Sequence, residues 1–301
     1  LEKRPRTIAA SFALAAALAL TAGSCARRAA VPAETVPAAP HVVWAGVRSS
    51  AYGIRPFPGP AEWEKAIRTM SGYYPGSTPV AVWIVGRFNR PRTCRLEFPG
   101  DKAAFADIVF EDADKHEPYL DAFDRAGIKV FLQVEPAHAD MKTLIDLVLD
   151  RYGRHPCVIG FGVDVEWHKE ADRPKEGVPV DDATGRQWEA WVKAHDPAYR
   201  LFIKHWNQRF LCPTYRGDIV FVDDSQIVES EERLVAEFEA WGKDFRPNPV
   251  MFQIGYPSDK PWWSKLPDPP KTLGQAIAAR IEQPCGIIWV DFTLKDVLPL
   301  K

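Results

Sequence analysis

One feature limits the fold of this chain more than any other, a repeated alternation of two kinds of segment. After residue 40, short runs rich in Val, Ile and Phe alternate with amphipathic stretches, separated by polar or Gly/Pro turns. The runs are Val42–Arg48, Val80–Gly86, Lys129–Glu135, Val158–Glu166, Leu201–Trp206, Ile219–Asp223, Val250–Ile254 and Gly286–Asp291. Helical stretches follow at about Ala61–Ser71, Lys115–Ala126, Met141–Tyr152, Ala183–His195, Ser230–Gly242 and Leu273–Gln283. In Met141–Tyr152, for example, Leu144, Ile145, Leu147, Val148 and Leu149 gather on one side at helical spacing. Strands separated by helices are joined by crossovers, so neighbours pair in parallel. Eight such units predict an α/β fold, a single (β/α)8 TIM barrel over residues 41–301. An open doubly wound sheet is the alternative. It would begin with a glycine-rich turn, whereas the first run here leads into VRSSAYG. Gly86–Asp101 and Ala171–Asp182 read as insertions after the second and fourth strands.

The segment ahead of the barrel has a different character. Lys3, Arg4 and Arg6 precede an apolar stretch, Ile8–Leu20, that is too short for a comfortable membrane span. Thr21-Ala22-Gly23-Ser24-Cys25 follows, and the whole resembles a bacterial lipoprotein signal, with Ala22 where that pattern prefers leucine. The resemblance implies a signal over 1–24, lipidation of Cys25, a tether over 25–40 and a protein exported to the cell envelope, touching the membrane only through its anchor. A general secretory signal cut near Ala22-Gly23-Ser24 is the alternative.

Four further cysteines, Cys94, Cys157, Cys212 and Cys285, fit no zinc spacing. Cys157 and Cys285 open apolar strands and suit burial, while Cys94 and Cys212 fall in expected loops, where export would permit pairing. A formal charge of −2 provides no basis for a nucleic-acid partner. Nothing in the chain indicates its oligomeric state.

Barrel enzymes carry their chemistry at the carboxyl ends of the strands. Those ends hold Arg48; Arg87 and Asn89; Gln133 and Glu135; Asp164 and Glu166; His205, Trp206 and Asn207; Asp223, Asp224 and Gln226; Gln253 and Tyr256; and Trp289 and Asp291. The fourth run, CVIGFGVDVEWHK, is the most informative. Side chains alternate along a strand, so Gly160, Gly162, Asp164 and Glu166 share one face and Ile159, Phe161, Val163 and Val165 the other. The large apolar set belongs against the helices, so the glycines and acids face the barrel axis. Two carboxylates that close interact, and one pKa rises, which suits general acid catalysis.

GFGVDVEWH resembles the fourth-strand signature of family 18 glycoside hydrolases, the chitinases and endo-β-N-acetylglucosaminidases, which ends in Asp-x-Glu. Gly286-Ile287-Ile288-Trp289 resembles that family's last strand. The resemblance implies Glu166 as general acid, Asp164 as the residue orienting an N-acetyl group, and Trp289 as a platform under the sugar, with a glycan as the partner. Tyr256, Gln253, Arg48, Glu135, Trp206, Asn207, Asp223 and Asp291 complete the expected substrate-binding set. The sequence departs from the family at Gly162, where an earlier acid would stand. It also lacks the Met-x-Tyr-Asp motif, with Gln253-Ile254-Gly255-Tyr256 a loose substitute, and the second-strand Ser-x-Gly-Gly.

Two other readings use the same residues. Glu166 pairs with Glu135, or with Asp223 or Asp224, in a two-carboxylate glycosidase whose carboxyl separation sets retention or inversion. In the other, Trp167, Trp206, Trp289 and Pro261-Trp262-Trp263 bind glycan on a tethered barrel that cuts nothing. His168 and His205 lie near strand tips, but without His-x-His or His-x-x-x-His spacing no metal is expected, and no cofactor.

Overall fold

The computed structural model describes residues 42–101 and 104–300. The expected signal, the Cys25 lipidation site and the tether lie outside them.

Ten strands form one sheet: β1 (Val42–Ser49), β2 (Thr78–Asn89), β3 (Thr93–Leu96), β4 (Ile108–Phe110), β5 (Lys129–Val134), β6 (Val158–Asp164), β7 (Arg200–Lys204), β8 (Val220–Asp223), β9 (Val250–Ile254) and β10 (Cys285–Val290). Eight of them, β1, β2 and β5 to β10, pair in parallel in chain order, and β1 closes the ring by pairing with both β2 and β10. This is a closed (β/α)8 barrel. Closure leaves none of the eight barrel strands at an edge, so each is buried on both faces and reads as a nearly continuous apolar run.

The main crossover helices are α1 (Pro60–Gly72), α2 (Glu117–Ala126), α3 (Met141–Tyr152), α4 (Asp182–His195) and α5 (Glu231–Asp244), with short α6 (Lys260–Trp263), α7 (Pro269–Ala278) and, after β10, α8 (Leu294–Val297). Local chemistry sets their ends. Asp140, Asp181 and Ser230 cap α3, α4 and α5 by accepting a backbone N–H three residues on. Gly127 ends α2 in the left-handed region. α7 starts and stops four or five residues earlier than the periodicity predicts, because Pro269-Pro270 fits the first helical turn. Among the described residues, no helix is long and apolar enough to cross a membrane.

The stretch expected as an insertion after the second strand is partly regular. β2 runs on to Asn89 and folds back antiparallel on β3, which pairs with β4. Cys94, expected in a loop, is therefore a buried strand residue. Cys94, Cys157, Cys212 and Cys285 are all buried free thiols.

Two apolar layers flank the barrel wall. The inner one holds Val80, Val82, Phe131, Phe202, Val220, Val222, Met251 and Ile288. The outer one, against the helices, takes the alternate residues, such as Phe161, Val163, Phe221, Phe252 and Ile287. The two glycines of β6 face inward. A Cβ on Gly162 would fall 2.0 Å from the Phe202 ring, and one on Gly160 would fall 2.9 Å from Phe131. The space beneath the acids is thus filled by phenylalanine rings. Ile159 departs from its expected side. The β5–β6 register slips there, pairing Val130 with Val158 but Phe131 with Gly160, and Ile159 packs on the inner layer.

Candidate active site at the barrel mouth

The carboxyl ends of the strands surround a cavity of about 330 Å³ lined by Arg48, Tyr52, Phe88, Glu135, Asp164, Glu166, Trp167, Lys204, Asp224, Gln226, Tyr256 and Phe292. A cavity of about 400 Å³ lies between β1, β2 and α2, against Phe57, Trp83, His116 and Tyr119. It contains none of the mouth's clustered acids.

β6 delivers the first two acids. Asp164 is its last residue and points inward, buried, in step with Gly160 and Gly162. The strand does not continue to Glu166. Val165–Trp167 form a turn of 3₁₀ helix, and this turn, rather than strand alternation, places Glu166 in the same cavity. Glu135 stands one residue past β5, where its backbone N–H donates to Gly86 O at 2.9 Å. Its carboxylate accepts from the Tyr52 hydroxyl and, at 2.7 Å, from the Phe88 backbone N–H.

Lys204, the last residue of β7, joins the other acids. Its ammonium lies 3.0 Å from Asp164 and is also bonded to Asp224. Gln133 Nε2 reaches Asp164 at 3.4 Å, and the Tyr256 hydroxyl reaches Asp224 at 3.4 Å. Arg48 donates to Asp291 at 3.0 Å, and Asp291 also accepts from Ser50 N at 2.7 Å and Ser50 Oγ at 2.8 Å. Aromatic rings line the cavity as well. Phe88 stacks on Trp167 at 4.7 Å, and Phe292 lies 5.9 Å from Tyr52 and 6.1 Å from Tyr256, centroid to centroid.

Burial dominates the electrostatics. It raises the Glu166 carboxyl to about 7, with Lys204 opposing and the neighbouring Asp224 and Glu135 adding. Burial also raises Asp164, against the pull of Lys204, and Glu135, against the Tyr52 and Phe88 hydrogen bonds. For Lys204 burial works the other way, but Asp164 and Asp224 outweigh it and hold the ammonium well above its usual value. The mouth therefore contains a carboxylic acid that keeps its proton near neutral pH beside other acids and a fixed cation.

Of the residues expected from sequence, Glu166, Asp164, Glu135, Arg48 and Tyr256 come together here. Gln253 is buried below, with its Oε1 3.3 Å from the Tyr256 hydroxyl, and Asp291 holds Arg48 and Ser50. Trp289 is not in the cavity wall. β10 turns Ile288 inward, so Trp289 faces the helices, edge-on to Trp263 and bonded to Thr293 Oγ1 at 3.0 Å. Asp223 also faces outward, next to Phe221 in the alternation, and accepts from Ser225 N at 2.8 Å. Asp224 takes the place in the cavity. Trp206 is exposed beside His205, and Asn207 caps a short 3₁₀ turn by accepting from Arg209 N. His205 is bonded at both ring nitrogens, accepting from Asn207 N at 2.8 Å and donating to Glu176 O at 2.8 Å. His168 Nδ1 is engaged by Val178 O at 3.0 Å.

Sequence reasoning passed over Lys204, Tyr52, Phe88 and Phe292. For Lys204 a signal existed: a lysine inside the apolar run LFIK, two residues after an inward phenylalanine. Tyr52 and Phe292 stand past the ends of β1 and β10, and Phe88 on the extension of β2 that folds back on β3, so barrel periodicity does not point them at the cavity.

No family model matches the chain, and no curated protein sequence matches it. Among solved structures it is similar to a Bacteroides thetaiotaomicron protein provisionally named an alpha-L-fucosidase, with 13% identity over 83% of this chain and 85% of that one and a TM-score of 0.57. Looser matches are a beta-D-glucuronidase from Dictyoglomus thermophilum (14% identity, 60% of this chain and 37% of that one, TM-score 0.41) and the xylanase TsXylA from Thermoanaerobacterium saccharolyticum (11%, 83% and 85%, 0.39). Those two scores are too low to carry an argument. The first match shows shared architecture alone, and it agrees with the strand order: by fold this chain is a TIM barrel.

Proposed function

We propose that the chain is a glycoside hydrolase in which Glu166 is the general acid and Glu135 the second carboxylate. The observation that carries this reading is Glu166 itself, a carboxyl group poised near pH 7 in an aromatic-walled barrel mouth with Glu135 lining the same cavity. A glycosidic oxygen is a poor leaving group until it is protonated, and an acid with a pKa close to the working pH is the most effective donor. Glu135 is supplied by the neighbouring strand; burial raises its carboxyl, while its two donors, Tyr52 and Phe88 N–H, oppose that rise and fix its direction. When ionised it attacks the anomeric carbon or activates a water. The fold shared with the protein named a fucosidase is consistent with this reading.

A second reading keeps Glu166 and replaces Glu135 with the substrate's own N-acetyl group, oriented by Asp164. One observation favours it: Asp164 Oδ1 is buried without a hydrogen-bond partner and is suited to accept an amide N–H. The outward position of Trp289 removes the platform that a family 18 site would use.

A hydrolysis screen on aryl glycosides with and without N-acetyl groups tests both. Glu166→Gln is expected to lower kcat by about 10²–10⁴-fold while binding and the unfolding transition are retained. Equal loss in Glu135→Gln on plain glycosides supports the two-carboxylate scheme. Activity restricted to N-acetylated substrates, lost in Asp164→Asn but not in Glu135→Gln, supports the second reading. Full activity of Glu166→Gln refutes both, and binding without turnover by the wild type identifies a lectin-like barrel.

A further inference from the structure

The mouth has a marked imbalance of charge and of hydrogen-bonding capacity. Four carboxyl groups line it, those of Glu135, Asp164, Glu166 and Asp224, against two cations, Arg48 and Lys204. Neither cation is left to meet a ligand's charge. Lys204 is buried between Asp164 and Asp224. Arg48 is held by Asp291, and its guanidinium lies 4.8 Å from the centre of the Phe292 ring. Two buried acceptors, Asp164 Oδ1 and Asp224 Oδ1, have no hydrogen-bond partner, although both residues lie in the cavity wall. Arg48 Nε is an unpaired donor, but its charge is already countered by Asp291.

Carboxyl oxygens accept hydrogen bonds, so a wall carrying four carboxyl groups suits a ligand that brings donors. A ligand that brings another anion adds repulsion without gaining a free cation. Phe88, Trp167 and Phe292 add apolar surface to the wall, which suits the apolar face of a sugar ring.

We propose that the cavity takes a sugar ring that is neutral or carries a basic nitrogen, and that it rejects uronic and sulfated sugars. This deepens the glycosidase reading and rests on the same cavity, but it is tested by binding rather than by turnover. Calorimetry on the wild type would compare three probes in gluco, galacto, manno and fuco configurations: a cationic iminosugar, the neutral methyl glycoside and the methyl uronate glycoside. The expected order in the best configuration is iminosugar, then neutral glycoside about tenfold weaker, then uronate weaker by at least about a further tenfold. The iminosugar affinity should fall in Asp224→Asn more than the neutral glycoside's, and calorimetric unfolding of that variant verifies that it is folded. Uronate binding as tight as the neutral glycoside's overturns the proposal, whether or not any glycoside is cleaved. Cationic preference without cleavage of any substrate supports the charge selection and refutes the hydrolase.

Discussion

Two levels of the barrel interior can be compared along single strands. On β7, Phe202 and Lys204 both point inward, two residues apart; at the end of β8 the same step leads from Val222 to Asp224, one residue past the strand, and on β6 from Gly162 to Asp164. A step of two residues is about 6.5–7 Å. Over that distance the interior changes from interlocked phenylalanine, valine and methionine to a network of acids around one lysine. The lower level is held by close packing, which has no preferred charge state and loses stability when volume is removed. The upper level is held by mutual compensation of charge, which loses stability when one partner is removed and the others remain buried. Neighbouring residues of one strand thus serve stability and chemistry through different physics.

The sharpest way to break the comparison is to cut each level once. Phe202→Ala is expected to destabilise by about 3–5 kcal/mol through the cavity it leaves. Lys204→Met is expected to cost a similar amount, about 3–5 kcal/mol, by leaving Asp164 and Asp224 buried together without their cation. Their pH dependence separates them. Burial raises the Asp164 carboxyl, so acidification protonates it and the Lys204→Met deficit shrinks at low pH while the Phe202→Ala deficit persists. Urea unfolding across pH measures both, and parallel curves would mean that the two levels do not differ as described.

A smaller effect is carried by Glu166 alone. Its folded pKa, about 7, is above the ordinary 4.5, so the folded state binds the extra proton between those values. Its contribution to stability is complete below 4.5 and is lost as pH rises to about 7. As general acid it must be protonated, so kcat/KM is expected to fall as pH rises through about 7. Glu166→Gln should remove that part of the stability slope, which differential scanning calorimetry at several pH values would detect. A slope unchanged in the variant would place the titration on another group.

The smallest effect is expected at Trp289. Trp289→Phe loses the indole hydrogen bond to Thr293 and about 1 kcal/mol of stability, but kcat/KM should stay within about twofold, because the ring faces the helices. A hundredfold loss of activity in a folded variant would return this residue to the site.

Much of this architecture was legible from local pattern. Eight apolar runs, the helices between them and the inward parity of Gly160, Gly162 and Asp164 follow from periodicities of 2 and 3.6, which each segment carries by itself. The run IVFVDD carries no such instruction, because both faces are apolar and either aspartate could enter the cavity; the β7–β8–β9 register decides for Asp224. The run GIIWV is equally silent about Trp289, which the pairing of β10 with β1 and β9 turns outward. Glu166 reached its expected cavity by a 3₁₀ turn that strand alternation does not describe.

The sequence by itself determined the barrel and the presence of acids at its strand ends, because short-range periodicity and backbone sterics suffice for that. Tertiary structure alone decided which acids meet. Lys204 finds Asp164 across 40 positions and Asp224 across 20, and Tyr52 finds Glu135 across 83. Such contacts are closed by the ring of strands, and the pKa of Glu166 is a property of that enclosure: burial beside other acids creates it, and no segment has it before the barrel closes.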